Sequence, residues 1–244
     1  MRDLPPPLPP AERTVGQLVA ESIRFYGGHF WRALLLGIPL VLADQLAVRH
    51  SIDGQALVFW AVTPLIVAAF VYACVLVHGG RPTATVVGVA VLIYLPFPAL
   101  RAFYVLPGIA WFAFIGLAVP AALIEGLPFR AALIRGRELG TADYVHALGS
   151  LAALVVVVGV AGQTLSVLLR AQGDTSQRIA LGLADLVLSP LLYIGGALLY
   201  LDQAARVGSR RSSPRRTKGR RRDADLHPLD DADAAGHPDP QVEP

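Results

Sequence analysis

The sequence is poor in two kinds of residue on which soluble proteins depend. It has one cysteine in 244 residues, and only 16% of its residues are charged, against about 25% in a typical soluble domain. The single cysteine, Cys74, stands in an apolar run, so no disulfide framework exists and the thiol is expected to pack as a small apolar group. With 54% hydrophobic residues and a mean hydropathy of +0.53, the composition favours an integral membrane protein.

Motifs of the common enzyme classes are missing as well. The sequence contains no Walker phosphate loop, no HExxH motif and no Cys/His spacing typical of a zinc site. Histidines of the apolar body stand near the ends of apolar runs, where a polar ring is ordinary at a membrane interface. We therefore predict no catalytic residue, no metal site and no cofactor, and a protein that is not an enzyme.

Six apolar segments approach or reach the length of about 20 residues that a bilayer crossing requires. The third is the least secure, because Pro96 and Pro98 break it and Arg101 lies within it. A chain in which this segment fails to cross would have five spans and its two basic ends on opposite sides. The six predicted spans are Ala33–Val48, Ala56–Val77, Thr85–Tyr104, Ile109–Ile124, Ala147–Leu169 and Ile179–Leu201.

Two amphipathic segments are expected to lie on the membrane surface rather than cross it. The first covers residues 14–27, where Thr14 and Gln17 have the spacing of a capping box, and the second covers residues 129–146. The predicted fold is thus an all-α integral membrane protein, a six-transmembrane helix bundle over residues 14–205 with two cytoplasmic interfacial helices. A proline-rich lead, residues 1–13, has no apolar core of a secretory signal, so targeting is expected from the internal spans.

The placement of lysine and arginine predicts the orientation of this bundle. With six spans both termini share a side, and that side receives most of the basic residues, including the whole basic tail. We therefore predict that both termini are cytoplasmic. The tail, residues 206–244, is first basic and then acidic and proline-rich, and is expected to be disordered.

Ionisable residues inside the predicted spans are the strongest candidates for a functional site, since each costs about 2.5–3.5 kcal/mol at mid-span. Asp44 and Arg101 lie roughly 16 Å and 24 Å into outward spans, and Asp185 about 9 Å below the outer face. In a core about 30 Å thick all three fall in the outer half. They are a candidate intramembrane charge cluster, either an ion relay or substrate anchor, or a neutralised group that fixes helix packing.

Other charged residues predict contacts with the cytoplasmic surface of the membrane. Glu125 and Gly126 end an uncharged span abruptly and mark a cytoplasmic corner. Basic clusters near a membrane attract anionic lipid headgroups at roughly 1 kcal/mol per charge. Nucleic acid is an improbable partner of the basic tail, because no aromatic residues are interleaved with its charges. The predicted lipid-surface residues are Arg130, Arg135, Arg137, Arg210, Arg211, Arg215, Arg216 and Lys218.

One stretch resembles a broad bacterial family of polytopic membrane proteins. It begins at Leu106-Pro107-Gly108-Ile109, passes Pro120 and Ile124-Glu125-Gly126, and continues through a basic helix to Gly140. These motifs are similar to those of the membrane domain of glycerophosphoryl diester phosphodiesterases, as is the opening segment TVGQLVAESIRFYGGHFWRALL. The resemblance implies a multi-span helical fold in a bacterial inner membrane. No phosphodiesterase catalytic domain is present, so that activity does not carry over.

Two functions are left open by these patterns. The first is a non-enzymatic membrane module, an accessory or scaffold subunit with the bilayer and an unidentified membrane protein as partners. The alternative is a small transporter or permease that uses the intramembrane charge cluster of Asp44, Arg101 and Asp185.

Overall fold

The backbone is helical throughout most of its length. The computed structural model describes residues 9–48, 50–102, 105–169 and 173–225, without the side chains of residues 52, 101–102, 105, 174 and 211–225. The structure is 87% helix, and no strand occurs in the described residues. The predicted all-α class is confirmed.

The described residues form twelve α-helices and two 3-10 turns, the latter at Pro10–Glu12 and Leu34–Gly37. In chain order the α-helices are α1 Val15–Gly28, α2 Phe30–Ala33, α3 Ile38–Ala47, α4 Ile52–His78, α5 Ala84–Tyr94, α6 Phe97–Ala102, α7 Val105–Ile115, α8 Ala118–Ile124, α9 Phe129–Ala142, α10 Tyr144–Leu168, α11 Asp174–Leu188 and α12 Pro190–Asp225.

Five helical runs in the described part are long and apolar enough to cross a membrane, as an integral membrane protein requires. A sixth apolar helical segment, Ala84–Leu100, is shorter and corresponds to the third predicted span. The five long runs are Phe30–Ala47, Asp53–His78, Leu106–Ile124, Tyr144–Leu168 and Thr175–Arg210.

Proline and glycine account for most interruptions within these runs. Proline has no N–H to donate, so it is favoured in the first turn of a helix and disrupts the turn before it elsewhere. Pro39 stands in the first turn of α3, and Pro190 begins α12 directly after Ser189 has ended α11. Pro64 lies inside α4, where the preceding hydroxyl of Thr63 donates to the Phe59 carbonyl at 2.7 Å.

The segment α7–α8 and the following α9 form an antiparallel hairpin about the turn at 125–128. Two glycines on α9 allow the close approach, since a Cβ on Gly136 would collide with Ala118 and one on Gly140 with the Phe114 carbonyl. Their spacing of one turn places both on the same side of α9. At the far end of the hairpin the Tyr144 hydroxyl donates to the Ala110 carbonyl at 3.3 Å.

This packing alters the predicted second interfacial helix. The expected helix over residues 129–146 ends at Ala142, and Asp143 begins a new helix, α10. The reason is local, because the Asp143 carboxylate accepts from the His146 backbone N–H at 3.2 Å and so caps α10. Residues 144–146 thus belong to the helix that was expected to start at Ala147.

The first amphipathic helix, α1, begins where the sequence predicts. The Thr14 N–H donates to the Gln17 side-chain oxygen at 2.8 Å, one half of a capping box. Leu18, Ser22 and Tyr26 form its buried side, at the i, i+4, i+8 spacing of one helix face. This face packs on α10 and α12, and a Cβ on Gly195 of α12 would lie 3.2 Å from the Ser22 hydroxyl.

The chain divides into two compact units after Arg206. Apart from the part of α12 beyond Arg206, the features described above belong to the first unit. The second unit, Val207–Pro244, is described as far as Asp225 as the continuous end of α12. The sequence predicts a disordered tail from residue 206, whereas the backbone is helical to Asp225. Arginine and lysine have helix propensities close to that of leucine, so a segment without apolar periodicity can still favour a helix.

Candidate functional site

The first feature of interest is an apolar cavity of about 150 Å³ inside the first unit. Aromatic rings surround it: Phe70 stands edge-on to Phe112 with their centroids 5.1 Å apart, and Tyr94 lies 5.7 Å from Phe70. Phe59, Phe97 and Tyr193 complete the aromatic lining. An apolar group that filled this space would gain dispersion contacts with the lining side chains.

The predicted charge cluster is only partly brought together. Asp44 lies on α3 and Asp185 on α11, both partly exposed, and these two helices pack antiparallel. Two contacts define their register. Gln45 donates to the Arg178 carbonyl at 3.0 Å, and Gly37 lies against Leu186. In that register the two aspartates are six residues apart, or roughly 9 Å along the helix axis.

Arg101, the third predicted member, has its backbone in α6, and its side chain lies outside the described residues. Asp44 comes one turn after Leu40 on α3. Since Leu40 lines the apolar cavity, one predicted member of the cluster stands near the cavity wall.

The Glu125–Gly126 corner is a junction of three helices. Gly126 has φ +62°, a conformation that favours glycine and lets the chain reverse between α8 and α9. The Glu125 carboxylate accepts from Arg135 Nε of α9 at 2.9 Å and from the Tyr200 hydroxyl of α12 at 2.8 Å. Arg135 also donates to the Glu138 carboxylate at 2.8 Å.

The two carboxylates hold Arg135 in its charged form. Burial alone lowers the pKa of the guanidinium, but the hydrogen bonds and charges of Glu125 and Glu138 raise it, and the pKa ends above its ordinary value. Arg135 Nε and Nη1 donate to protein carboxylates, and its predicted contact with lipid headgroups stays a prediction.

A histidine extends this junction to α4. His78 Nε2 lies 2.9 Å from the Ala197 carbonyl, which can only accept, so this nitrogen carries the proton. The His78 and Tyr200 rings meet edge to face at 5.7 Å between centroids. The ends of α4 and α8 are therefore tied to the interior of α12 at one end of the bundle.

A second polar group, which the sequence interpretation missed, joins the start of α1, the start of α10 and α12. Arg13 Nη1 donates to Asp202 Oδ1 at 3.1 Å, although the Asp202 side chain is fully buried. Arg206 donates to the Asp143 carboxylate at 2.7 Å and to the Arg13 carbonyl at 2.7 Å. His146 Nε2 lies 3.9 Å from Asp202 Oδ2. We call these five residues the buried ion-pair group.

The energetic importance of this group follows from its burial. A charge removed from water is tolerated only when a partner and hydrogen bonds compensate for the lost hydration. Asp202 has that compensation at Oδ1, which accepts from Arg13, whereas its buried Oδ2 accepts no hydrogen bond within the described residues. Gln203 beside it donates to the Asp143 carbonyl at 3.2 Å. The group therefore links the start of α1, the start of α10 and α12, which are far apart along the chain.

The remaining basic residues predicted at the lipid surface have different environments. Arg130 and Arg210 are exposed. Arg137 is also exposed, with its guanidinium carbon 5.7 Å from the centre of the Phe114 ring. The side chains of Arg211, Arg215, Arg216 and Lys218 lie outside the described residues.

Among the residues that the structure describes, no group of three or more His, Cys, Asp or Glu side chains is arranged to hold a metal ion. Comparison of the chain with protein-family models, with curated proteins and with solved structures finds no match.

Proposed function

We propose that this chain is a non-enzymatic membrane module, an accessory or scaffold subunit of a bacterial inner membrane, with both termini in the cytoplasm. The observation that carries the proposal is that its buried charges pair with one another and do not face the cavity. Arg13, Asp143, Asp202 and Arg206 face one another across helices, and the fourteen residues that line the apolar cavity carry no charge. Polar groups arranged in this way stabilise a helix assembly.

Six crossings are supported by contacts at one end of the bundle. Gly80, just after α4, lies against Leu123 near the end of α8, since a Cβ on the glycine would be 3.5 Å from Leu123 Cδ1. The α4 and α8 helices thus finish at the same end. The chain between them has to return to the opposite end, and α5 with α6 is the segment available for that crossing.

The proposed orientation follows from the charges at this same end. The Glu125 junction and its partner Arg135 lie there, and the basic residues Arg81 and Arg130 follow in the adjoining turn and helix. Lysine and arginine accumulate on the cytoplasmic side of membrane proteins. We therefore assign this end to the cytoplasm, and the resemblance to the phosphodiesterase membrane-domain family remains a prediction in keeping with it.

A scaffold needs a surface for its partner, and α10 offers the largest one. Only 11% of the most apolar 18-residue stretch of α10 is buried within the chain, against 33–61% for the corresponding stretches of the other four long runs. Val156 and Val160 are 60% and 61% exposed on it. Another membrane helix could pack there without displacing any helix of this chain.

The test is purification of the tagged full-length chain from native membranes in a mild detergent. The proposal predicts one partner at constant stoichiometry, which Val160→Trp on α10 releases. Leu57→Trp is the matched control, since Leu57 is 71% exposed on α4 and away from that surface. Wild-type chain that purifies alone, or a partner that both variants retain, would contradict the proposed module surface.

A small permease is the second candidate, favoured by one observation. Asp44 lies one turn after Leu40 on α3, and Leu40 lines the cavity, so a charge within a predicted span stands near a cavity. If the chain is a permease, substrate should raise the melting temperature of the purified protein, and Arg101→Ala and Asp44→Asn should abolish that rise. Retention of the shift in both variants would exclude the predicted cluster as the substrate site.

A further inference from the structure

The apolar cavity has the size and chemistry of a hydrocarbon-binding site. Its volume of about 150 Å³ equals that of an engineered apolar cavity that stays dry and binds benzene, so it has room for about six carbons. Leucine, isoleucine, valine and aromatic side chains make up most of its wall, and Tyr94 and Tyr193 are the lining residues whose side chains carry a polar atom. An apolar segment fits this lining, whereas a polar solute would find few hydrogen-bond partners.

The depth of the cavity matches the middle of a bilayer. On α4, the longest of the lining helices that lie wholly in the first unit, the wall is formed by Phe59, Ile66 and Phe70. Phe59 comes seven residues after the start of α4 at Ile52, and Phe70 comes eight residues before its end at His78. The cavity is therefore centred on the span, at the level where the ends of lipid acyl chains meet.

The wall is incomplete on the outside of the bundle. Four lining residues are partly exposed: Leu40 of α3, Phe97 of α6, Val155 of α10 and Leu192 of α12. They belong to segments that are apolar enough to lie in the hydrocarbon region, so whatever enters between them comes from the lipid.

We propose that the cavity binds the methyl-terminal segment of a phospholipid acyl chain from the surrounding bilayer. Size limits the bound segment to about six carbons. Depth selects the end of the chain rather than the part next to the glycerol. This binding function is separate from the module proposed above, because it depends on the cavity wall and not on the exposed surface of α10.

The test uses the full-length chain reconstituted into phosphatidylethanolamine and phosphatidylglycerol vesicles that contain a photoactivatable phospholipid. The diazirine is placed near the methyl end of the acyl chain in one probe and next to the carboxyl group in the other. The proposal predicts that the terminal probe labels cavity residues such as Phe59 and Leu154 at least five-fold more than the carboxyl-proximal probe does.

Val155→Phe fills the cavity and should lower that labelling at least five-fold. The matched control is Val156→Phe, the adjacent residue, which is 60% exposed and should change it less than two-fold. Leu192→Phe, which narrows the cavity from α12, replaces Val155→Phe if that variant does not fold. Each variant is first compared with the wild type by circular dichroism and size-exclusion chromatography.

Three results would overturn the proposal. One is equal labelling of the cavity by the two probes, and another is equal labelling in the wild type and both variants. The third is labelling of the cavity by a photoactivatable free fatty acid when neither phospholipid probe labels it. That result would identify a free acid and not a bilayer phospholipid as the source of the chain.

Discussion

Removal of the Asp202 carboxylate is expected to destabilise the protein strongly. The side chain is fully buried and accepts from Arg13 at 3.1 Å, and the Arg13 side chain is itself only 12% exposed. In Asp202→Ala this guanidinium keeps its charge but loses the carboxylate that accepts its hydrogen bond. Breaking a buried ion pair on one side costs about 3–5 kcal/mol, and we expect a value within that range.

The exposed pair of Glu21 and Arg24 is a matched control within the same helix region. Its side chains are 26% and 54% exposed at an N–O distance of 3.5 Å. Exposed pairs contribute about 0–1 kcal/mol, so Glu21→Ala should have little effect. The contrast between the two substitutions isolates burial as the cause.

Equilibrium unfolding in mixed micelles, followed through the fluorescence of the three tryptophans, measures both effects. The double variant Arg13→Met/Asp202→Leu should recover most of the lost stability, because a buried pair replaced by apolar residues is often neutral. The reasoning is refuted if Asp202→Ala costs no more than Glu21→Ala, or if the double variant is less stable than Asp202→Ala.

Three further experiments test the helix contacts. Gly140→Val should destabilise the hairpin of α7–α9, since the new Cβ collides with backbone, while Gly159→Val meets open space and should be tolerated; thermal denaturation compares them. Tyr200→Phe removes the hydroxyl that donates to Glu125 and should cost about 1–2 kcal/mol in the same unfolding assay. Asp143→Ala should cost about 1 kcal/mol more than Asp143→Asn, because asparagine retains the cap of α10; equal losses would show that the cap is unimportant.

The helices themselves were predictable because apolar run length and capping chemistry are local. Thr14 and Gln17 predict the start of α1, and the run before Glu125 predicts the end of α8. The boundary at Asp143 was not predicted, although aspartate is a favourable N-cap. A glycine-rich amphipathic pattern continued on both sides of it, and only the change in direction between α9 and α10 reveals the break.

The buried ion-pair group could not be predicted from the sequence, because its members are distant along the chain. Arg13 and Asp202 are separated by 189 residues, and each stands at the edge of a segment that reads as lead or tail. A charge inside an apolar run indicates a candidate site, whereas a charge at the end of a run is typical of a residue at the membrane interface. The one usable signal was Asp202 itself, an acidic residue at the predicted cytoplasmic end of a span, where basic residues are the rule.

Cysteine accessibility in intact bacterial cells tests the proposed six-crossing topology most directly. Cys74 is buried and can be replaced by alanine, which leaves a background for single cysteines. The account predicts that cysteines at Ser51 and Ser176 react with a membrane-impermeant maleimide in intact cells. Cysteines at Arg81 and Pro128 should react only after permeabilisation. If Arg81 and Pro128 reacted from opposite sides of the membrane, α5 and α6 would not cross and the topology would be contradicted.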